Sequence, residues 1–222
     1  MFSFEAFWQI LTSKLPVFME GVSVTVQLAL YTAIFGSLVG VLVALMRLSR
    51  IRPLRWLSSV YIEFLRGTPL LVQVLIIYYG LPQLGIRLPR MTAGTVALVI
   101  NSAAYMAEIV RSGIQAIDAG QSEASRSLGM TSAQTMLCII LPQAIKNILP
   151  AVGNEFVVII KESSILYTIG IYELTYQANK LASTNFRYLE TLMISALVYF
   201  VLTFTTSRLL GLLERRMRRG DR

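Results

Sequence analysis

Seven polar or charged side chains lie within stretches that are otherwise apolar, and their types suit the binding of a polar solute. They are Asn101, Tyr105, Glu108, Glu155, Lys161, Glu162 and Ser163. Such groups are costly inside a membrane unless they face water or pair with each other. Asn101, Tyr105 and Glu108 are spaced to share one helix face, and Glu155 and Glu162, seven residues apart, share another. The pattern predicts two polar stripes that line one pathway.

The carboxylates in these stripes favour a positively charged guest, because guanidinium and ammonium groups form charge-assisted hydrogen bonds with carboxylates. We expect Glu155, which follows Asn154, to select the charge of the solute. Two alternative roles stay open. In the first, Lys161 and Glu162 form structural ion pairs near the outer headgroups. In the second, Asn101 bonds a neighbouring helix instead of the solute.

The composition excludes many enzyme classes and favours a membrane protein. The 222 residues include no histidine and one cysteine, so we expect no histidine-based catalysis, no metal site and no internal disulfide. Apolar residues make up 55% and charged residues 14%, which leaves too little polar surface for a soluble protein. The net charge is +8, and the basic residues lie beside apolar runs. This arrangement favours anionic lipid over nucleic acid as the partner.

Five apolar stretches are long enough to cross a membrane, which takes about 20 helical residues. They cover residues 21–46, 54–80, 91–110, 147–171 and 191–213. In the second stretch, Arg66, Gly67, Thr68 and Pro69 predict a helix break that serves either structure or gating. Glu63 is spaced to pair with Arg66. The fold class is an all-α membrane protein in which the whole chain is one domain.

The basic residues predict the orientation, because cytoplasmic loops hold an excess of Lys and Arg. The larger share lies on the side of the loop 111–146 and the C-terminal tail, which places the N-terminus outside and the C-terminus in the cytoplasm. The tail contains Arg208, Arg215, Arg216, Arg218, Arg219 and Arg222. The aromatic segment 2–18 is either an interfacial helix or an aromatic belt before the first span. Because Lys14 follows the first aromatic cluster, we expect no cleaved signal peptide.

Residues 111–146, between the third and fourth stretches, are too polar to span a membrane and have the pattern of two short helices. The first helix is predicted over residues 121–129. Ser122 is the expected N-cap, and Gly129 is the expected left-handed residue that ends the helix.

The second short helix follows directly. Thr131 and Gln134 have the spacing of a capping box, and Leu141-Pro142 marks the predicted end. We expect Cys138 to pack within this loop. The loop is therefore predicted to be a compact helical element on the cytoplasmic side.

This loop resembles the coupling loop of bacterial ABC importer permeases, whose pattern is Glu-Ala-Ala, three residues, Gly, nine residues, Ile, one residue, Leu-Pro. The matching residues are Glu123, Ala124, Ser125, Gly129, Ile139, Leu141 and Pro142. Ser125 replaces the second alanine, a small-for-small change. Four flanking segments are similar to the polar amino acid permease subfamily: Arg66-Gly67-Thr68-Pro69-Leu70-Leu71, Asn101-Ser102-Ala103-Ala104-Tyr105, Leu141-Pro142-Gln143-Ala144 and Lys161-Glu162-Ser163-Ser164. The resemblance extends from about Gly21 to Arg216.

The resemblance implies the type I ABC importer permease fold and a multi-pass protein of the bacterial inner membrane. It also implies the function of a membrane-spanning subunit in an ATP-driven amino acid importer, and the carboxylate argument narrows the solute to basic or other polar amino acids. The implied partners are two ATPase subunits, a second permease that is a copy or a close relative, and an extracytoplasmic solute-binding protein. ATP and magnesium would bind the ATPase, because this chain contains no phosphate-binding loop.

A second interpretation stays open at this point. The chain is a non-transporting membrane scaffold or a channel-type subunit, and its cytoplasmic loop binds some other protein. Copurification with an ATPase distinguishes the two interpretations. An enzyme is the least supported class, since no nucleophile–base pair or metal set is apparent.

Overall fold

The computed structural model describes residues 2–218, and within that range the chain is helical and contains no strand. The α-helices are α1 (Phe4–Leu48), α2 (Arg52–Gly67), α3 (Leu70–Leu75), α4 (Arg90–Gln115), α5 (Ala119–Ser127), α6 (Ser132–Thr135), α7 (Leu141–Glu162), α8 (Leu174–Asn185) and α9 (Tyr188–Arg218). Turns of π or 3₁₀ helix extend them at Ile76–Gly80, Leu81–Leu84, Met136–Ile140 and Ser163–Ile169. The predicted tail residues Arg219 and Arg222 lie outside the described residues.

Among the described residues, four segments are long and apolar enough to cross a membrane, and the number is five if a bent helix pair is counted as one span. The four segments are Phe4–Leu48, Arg90–Gln115, Ser132–Ile169 and Tyr188–Arg216, and the bent pair is Arg52–Gly67 with Leu70–Leu84. Each predicted stretch coincides with one of these segments, and the helices are longer than predicted at most ends. Apolar runs mark the part of a helix that needs lipid, whereas polar residues continue the helix beyond it.

The first helix, α1, joins the aromatic N-terminal segment to the first predicted span without a break. Its 45 residues correspond to about 67 Å of helix, more than twice the hydrocarbon thickness. Ser3 caps the helix by accepting a hydrogen bond from the backbone N–H of Ala6 at 3.3 Å. The backbone N–H of Ser3 also donates to Oε1 of Glu190 at 3.0 Å, which ties the start of α1 to the start of α9.

The second predicted span is broken, as the sequence indicates. α2 ends at Gly67, α3 begins at Leu70, and the two axes differ in direction by 106°. Pro69 has no backbone N–H to donate, and it restricts Thr68 to an extended conformation. The break leaves backbone carbonyls at the end of α2 without partners inside the helix.

Small residues let α1 and α4 approach closely and run parallel. A Cβ placed on Gly40 would lie 2.6 Å from Cβ of Met106, and one on Gly36 would lie 3.1 Å from Oγ of Ser102. On α4, Ala103 and Ala107 are fully buried. Small-residue contacts of this kind drive helix association in membranes, where apolar burial alone gives no net gain.

The loop between α4 and α7 contains the two predicted short helices, but the first begins earlier than predicted. α5 starts at Ala119, and its N-cap is Asp118, which accepts a hydrogen bond from the N–H of Gly120 at 2.7 Å. Ser122 therefore lies inside the helix. An Asp side chain caps a helix as well as Ser does, so the sequence contains two competing caps.

The predicted end of α5 is confirmed. Gly129 has a φ of +85°, and its N–H bonds the carbonyl of Arg126 while the N–H of Met130 bonds that of Ser125. These two bonds form a Schellman motif, which reverses the chain tightly.

The capping box of Thr131 and Gln134 at the start of α6 is also confirmed. The predicted helix end at Leu141-Pro142 is wrong, because the chain stays helical from Ser132 to Ile169. The wider π turn over Met136–Ile140 directly precedes Pro142, and such a local widening lets a helix continue through a proline.

Candidate solute pathway and coupling surface

Asn101, the first residue of the predicted stripe on α4, is buried and bonded to a neighbouring helix. Its Nδ2 donates to Oε1 of Gln73 at 3.0 Å. Nε2 of Gln73 donates to the carbonyls of Leu65 at 2.9 Å and Thr68 at 3.2 Å, which are free because α2 ends there. This network fixes the bend between α2 and α3 against α4. Sequence reasoning missed Gln73, although it is an isolated amide in an apolar run.

Tyr105 and Glu108 continue this stripe, and both contact arginines. The guanidinium carbon of Arg66 lies 5.3 Å from the centroid of the Tyr105 ring, a cation–π arrangement. Glu108 forms an ion pair with Arg111 one turn further along α4. The predicted pairing of Glu63 with Arg66 is wrong, since no salt bridge joins them in the described part of the chain.

Glu155 is 6% exposed and lies on the face of α7 that packs against α4. Ser102 donates to its Oε1 at 3.1 Å, which is the one side-chain bond that the described residues give this carboxylate. Ser102 also touches α1 at Gly36, so three helices meet here. A carboxylate can accept several hydrogen bonds, and Glu155 therefore keeps acceptor capacity for a further donor.

The remaining predicted residues at the end of α7 have different environments. Lys161 is exposed, Glu162 is half-buried, and Ser163 is buried with its Oγ donating to the carbonyl of Ile160 at 2.8 Å. Within residues 2–218, no salt bridge joins Lys161 or Glu162 to an opposite charge. The structural ion pairs considered for these two residues are therefore not formed.

A row of exposed polar side chains lies on α7, beside the face that packs against α4. Asn147, Asn154 and Lys161 follow at intervals of seven residues and so share one side of the helix. We call these three residues the exposed polar row. Polar groups that face lipid are costly, so this row requires water or another subunit beside it. The seven-residue spacing is visible in the sequence, but only the structure shows that all three side chains are exposed.

Sequence reasoning also missed Glu173, a fully buried carboxyl in the connector before α8. It caps α8 by accepting hydrogen bonds from the N–H groups of Thr175 at 2.9 Å and Tyr176 at 2.7 Å. The hydroxyl of Tyr199 on α9 donates to it at 2.7 Å. Burial raises the pKa of Glu173 to about 7. Nothing in the sequence distinguishes Glu173 from an exposed loop residue.

The predicted coupling residues form a protruding surface around the turn at Gly129. Glu123 and Ala124 are exposed on α5, and Leu128 is 84% exposed. Ser125 is buried, and its Oγ donates to the carbonyl of Gln121 at 2.6 Å, so the hydroxyl is satisfied within the helix.

At the far side of the turn, Ile139 and Leu141 are half-buried and Pro142 is exposed. The packing predicted for Cys138 is wrong, because its side chain is exposed. Leu137, in the same π turn over Met136–Ile140, is exposed as well.

Comparison with known proteins identifies the family. The profile described as "Binding-protein-dependent transport system inner membrane component" matches residues 36–219. The chain belongs to this family and is thus a multi-pass permease component of a binding-protein-dependent transport system. Family membership supports the transport interpretation over the scaffold or channel interpretation.

Relatives of known name match along nearly the whole chain. The arginine transport system permease protein ArtQ of Bacillus subtilis (strain 168) is 39% identical over 94% of this chain and 95% of its own length. The probable glutamine ABC transporter permease protein GlnM of the same organism is 44% identical over 95% and 98%. A crystal structure of an amino acid ABC transporter with histidines is 51% identical, covers 97% of this chain and 99% of its own, and superposes with a TM-score of 0.91. The fold is therefore that of an ABC importer permease.

Proposed function

We propose that this chain is the membrane-spanning subunit of an ATP-driven importer of basic or other polar amino acids. The observation that carries the proposal is the 51% identity, along 97% of the chain, to an amino acid ABC transporter. The relatives named for arginine and glutamine support the same solute class. The chain is not itself the ATPase, and ATP and magnesium bind a partner subunit.

The ATPase docks on the surface around Gly129. α5 and α6 present exposed side chains on a turn that two backbone bonds and a capping box hold rigid. A rigid α5–α6 turn transmits a displacement of the ATPase to α4 and α7, whereas a flexible loop would not. The docking residues are Glu123, Ala124, Ser125, Gly129, Ile139, Leu141 and Pro142.

The docking surface faces the cytoplasm and the N-terminus faces outside, toward the solute-binding protein. Arg47, Arg52 and Arg55 lie where α1 meets α2, and Arg111 lies near the end of α4. The ends of these helices share a side with the α5–α6 turn, and an excess of basic residues favours the cytoplasmic side. The whole chain forms one transmembrane domain in the bacterial inner membrane.

The exposed polar row on α7 faces a second permease subunit, with the solute pathway between the two. Asn154 is exposed in the middle of an apolar helix, and Asn147 and Lys161 extend the row along the same side. A second copy of this chain would present the same row across a two-fold axis. The two rows would enclose water, which removes the cost of facing lipid.

Crosslinking tests this arrangement in a Cys138→Ser background, which removes the single cysteine. Asn154→Cys is expected to yield a covalent dimer with a short bifunctional thiol reagent. Phe200→Cys, at a 62% exposed residue of α9, is the matched control and is expected to stay monomeric. A heterodimer of permeases would give crosslinks only to a different chain, and reactivity equal to that of the control would place the row against lipid.

The pathway residues are those predicted from the sequence, and Glu155 selects the charge of the solute. The other pathway residues are Asn101, Tyr105, Glu108, Lys161, Glu162 and Ser163, and the break at Arg66, Gly67, Thr68 and Pro69 is the gate. A buried carboxylate with one hydrogen bond is costly, so a guanidinium or ammonium that reaches it is stabilised.

ATP hydrolysis by the reconstituted complex with its receptor tests the solute, using arginine, lysine, histidine, glutamine and glutamate. Glu155→Gln is expected to weaken stimulation by arginine and lysine about tenfold, because a charge-assisted hydrogen bond is lost. Glu63→Gln, which removes an exposed carboxylate of α2, is the matched control. Unchanged selectivity would assign specificity to the receptor, whereas the absence of a copurifying ATPase would overturn the permease function.

A further inference from the structure

A basic cleft opens between the ends of α1, α2 and α4, on the same side of the membrane as the α5–α6 turn. Its volume is about 630 Å³, and four arginines line it. Arg47 comes from α1, Arg52 and Arg55 from α2, and Arg111 from α4. None of the coupling residues lines the cleft, and it meets the polar stripe of α4 only where Arg111 pairs with Glu108.

The positive charge in this cleft is only partly compensated. Arg111 forms an ion pair with Glu108 and a hydrogen bond with Gln115. No salt bridge joins Arg47, Arg52 or Arg55 to a carboxylate among the described residues. Three arginines without an ion pair therefore line one concave surface. Such an arrangement matches the oxygens of a phosphate group.

Two apolar side chains also line the cleft. Trp56 lies in its wall and is 68% exposed, and Leu48 lies beside the arginines. A tryptophan beside arginines at the end of an apolar helix is typical of the headgroup level of a bilayer. The site thus offers positive charge for a phosphate and an apolar surface for the chains attached to it.

We propose that this cleft binds the phosphate of an anionic phospholipid headgroup, with Arg47, Arg52 and Arg55 holding the phosphate and Trp56 packing on the acyl region. Basic pockets between membrane helices bind anionic headgroups by this combination. Inorganic phosphate shares the charge of the headgroup but has no acyl chain to contact Trp56, so the two sources are separable by experiment.

Tryptophan fluorescence reports on the cleft directly, because the chain contains two tryptophans and Trp8 lies near the opposite end of α1. In the purified permease complex carrying Trp8→Phe, Trp56 is the single tryptophan of this chain. The tryptophans of the partner subunits are replaced, or their fluorescence is subtracted by using a matched complex that carries Trp8→Phe/Trp56→Phe. Brominated phosphatidylglycerol is expected to quench Trp56 at roughly tenfold lower mole fraction than brominated phosphatidylcholine.

The variant Arg52→Gln/Arg55→Gln is expected to abolish this preference. Arg215→Gln/Arg216→Gln removes the same charge near the same membrane face and is expected to keep it. Equal quenching by both lipids, or an unchanged preference in the first variant, would overturn the proposal. Displacement of brominated phosphatidylglycerol by millimolar inorganic phosphate would assign the site to free phosphate and reject the lipid. Retained ATPase activity in all variants shows that the complex is folded and keeps this test independent of the proposed transport function.

Discussion

Two buried carboxyls, Glu173 and Glu155, have opposite environments. Glu173 receives hydrogen bonds from two backbone N–H groups and from the hydroxyl of Tyr199, and it joins α8 to α9. Glu155 receives one hydrogen bond, from Ser102. The first carboxyl is surrounded by donors from its own chain, whereas the second has acceptor capacity that its own chain does not use.

This difference separates a structural carboxyl from one available to a ligand. A satisfied buried group contributes to the fold, and removing it leaves several partners unpaired. A buried carboxyl that accepts few hydrogen bonds from its own chain contributes less to the fold. Its presence in a membrane protein therefore points to a partner outside the chain. The comparison therefore predicts that stability depends on Glu173 and solute selectivity on Glu155.

The largest expected effect is the loss of stability in Glu173→Ala. Two backbone N–H groups and the Tyr199 hydroxyl lose their acceptor, and the unfolding free energy should fall by about 4 kcal/mol. Thermal denaturation in detergent measures this loss. Glu173→Gln keeps an acceptor and should recover more than half of it. A loss no larger than that of Glu155→Ala would contradict the comparison.

The pH dependence of stability is the next largest effect. Burial raises the pKa of Glu173 to about 7 from 4.5, so the folded state favours the protonated carboxyl. The contribution of Glu173 to the free energy of unfolding is full below pH 4.5 and is lost as the pH rises to about 7. The change is roughly 3 kcal/mol. Melting curves between pH 4.5 and 8 should show this fall in the wild type and a smaller fall in Glu173→Gln. Parallel curves for both proteins would remove Glu173 as the cause.

A substitution that pushes α8 away from α1 should have a smaller effect. A Cβ on Gly21 would lie 2.7 Å from Cα of Leu174, the residue after Glu173. Gly21→Val should cost about 2 kcal/mol through overpacking against backbone that cannot move aside. The control is Gly211→Ala, since nothing lies within 4 Å of a Cβ on Gly211. Equal melting temperatures for the two variants would indicate that α8 is free to shift.

The smallest expected effect on stability belongs to Glu155→Gln. Its amide oxygen can still accept from Ser102, and the melting temperature should change by the equivalent of about 1 kcal/mol or less. The same purified variant is assayed for solute selectivity. A large loss of stability would assign Glu155 to the fold and remove the reason for giving it a ligand.

Local sequence features predicted the elements that depend on neighbouring residues. Gly129 ends α5 because only its own backbone has to adopt a positive φ. Pro69 breaks the second crossing because the missing N–H is a property of that residue. The predicted N-cap of α5, Ser122, is wrong, because Asp118 also suits the position and the choice depends on where the helix packs.

The partners of the polar side chains required the tertiary structure. Asn101 bonds Gln73, 28 residues away, and Ser102 bonds Glu155, 53 residues away. Helical spacing assigns residues to a face but does not state which helix lies against it. For the same reason the sequence predicted a pair between Glu63 and Arg66, whereas Arg66 lies over Tyr105.

The sequence by itself determined the membrane class, the crossing stretches and the family, because hydropathy, charge and motif spacing are properties of short segments. The tertiary structure alone decided which carboxyl is satisfied, which face of α7 stays exposed, and that four arginines from three helices line one cleft. These features depend on segments that are far apart in the chain, and their energies appear only when the helices pack.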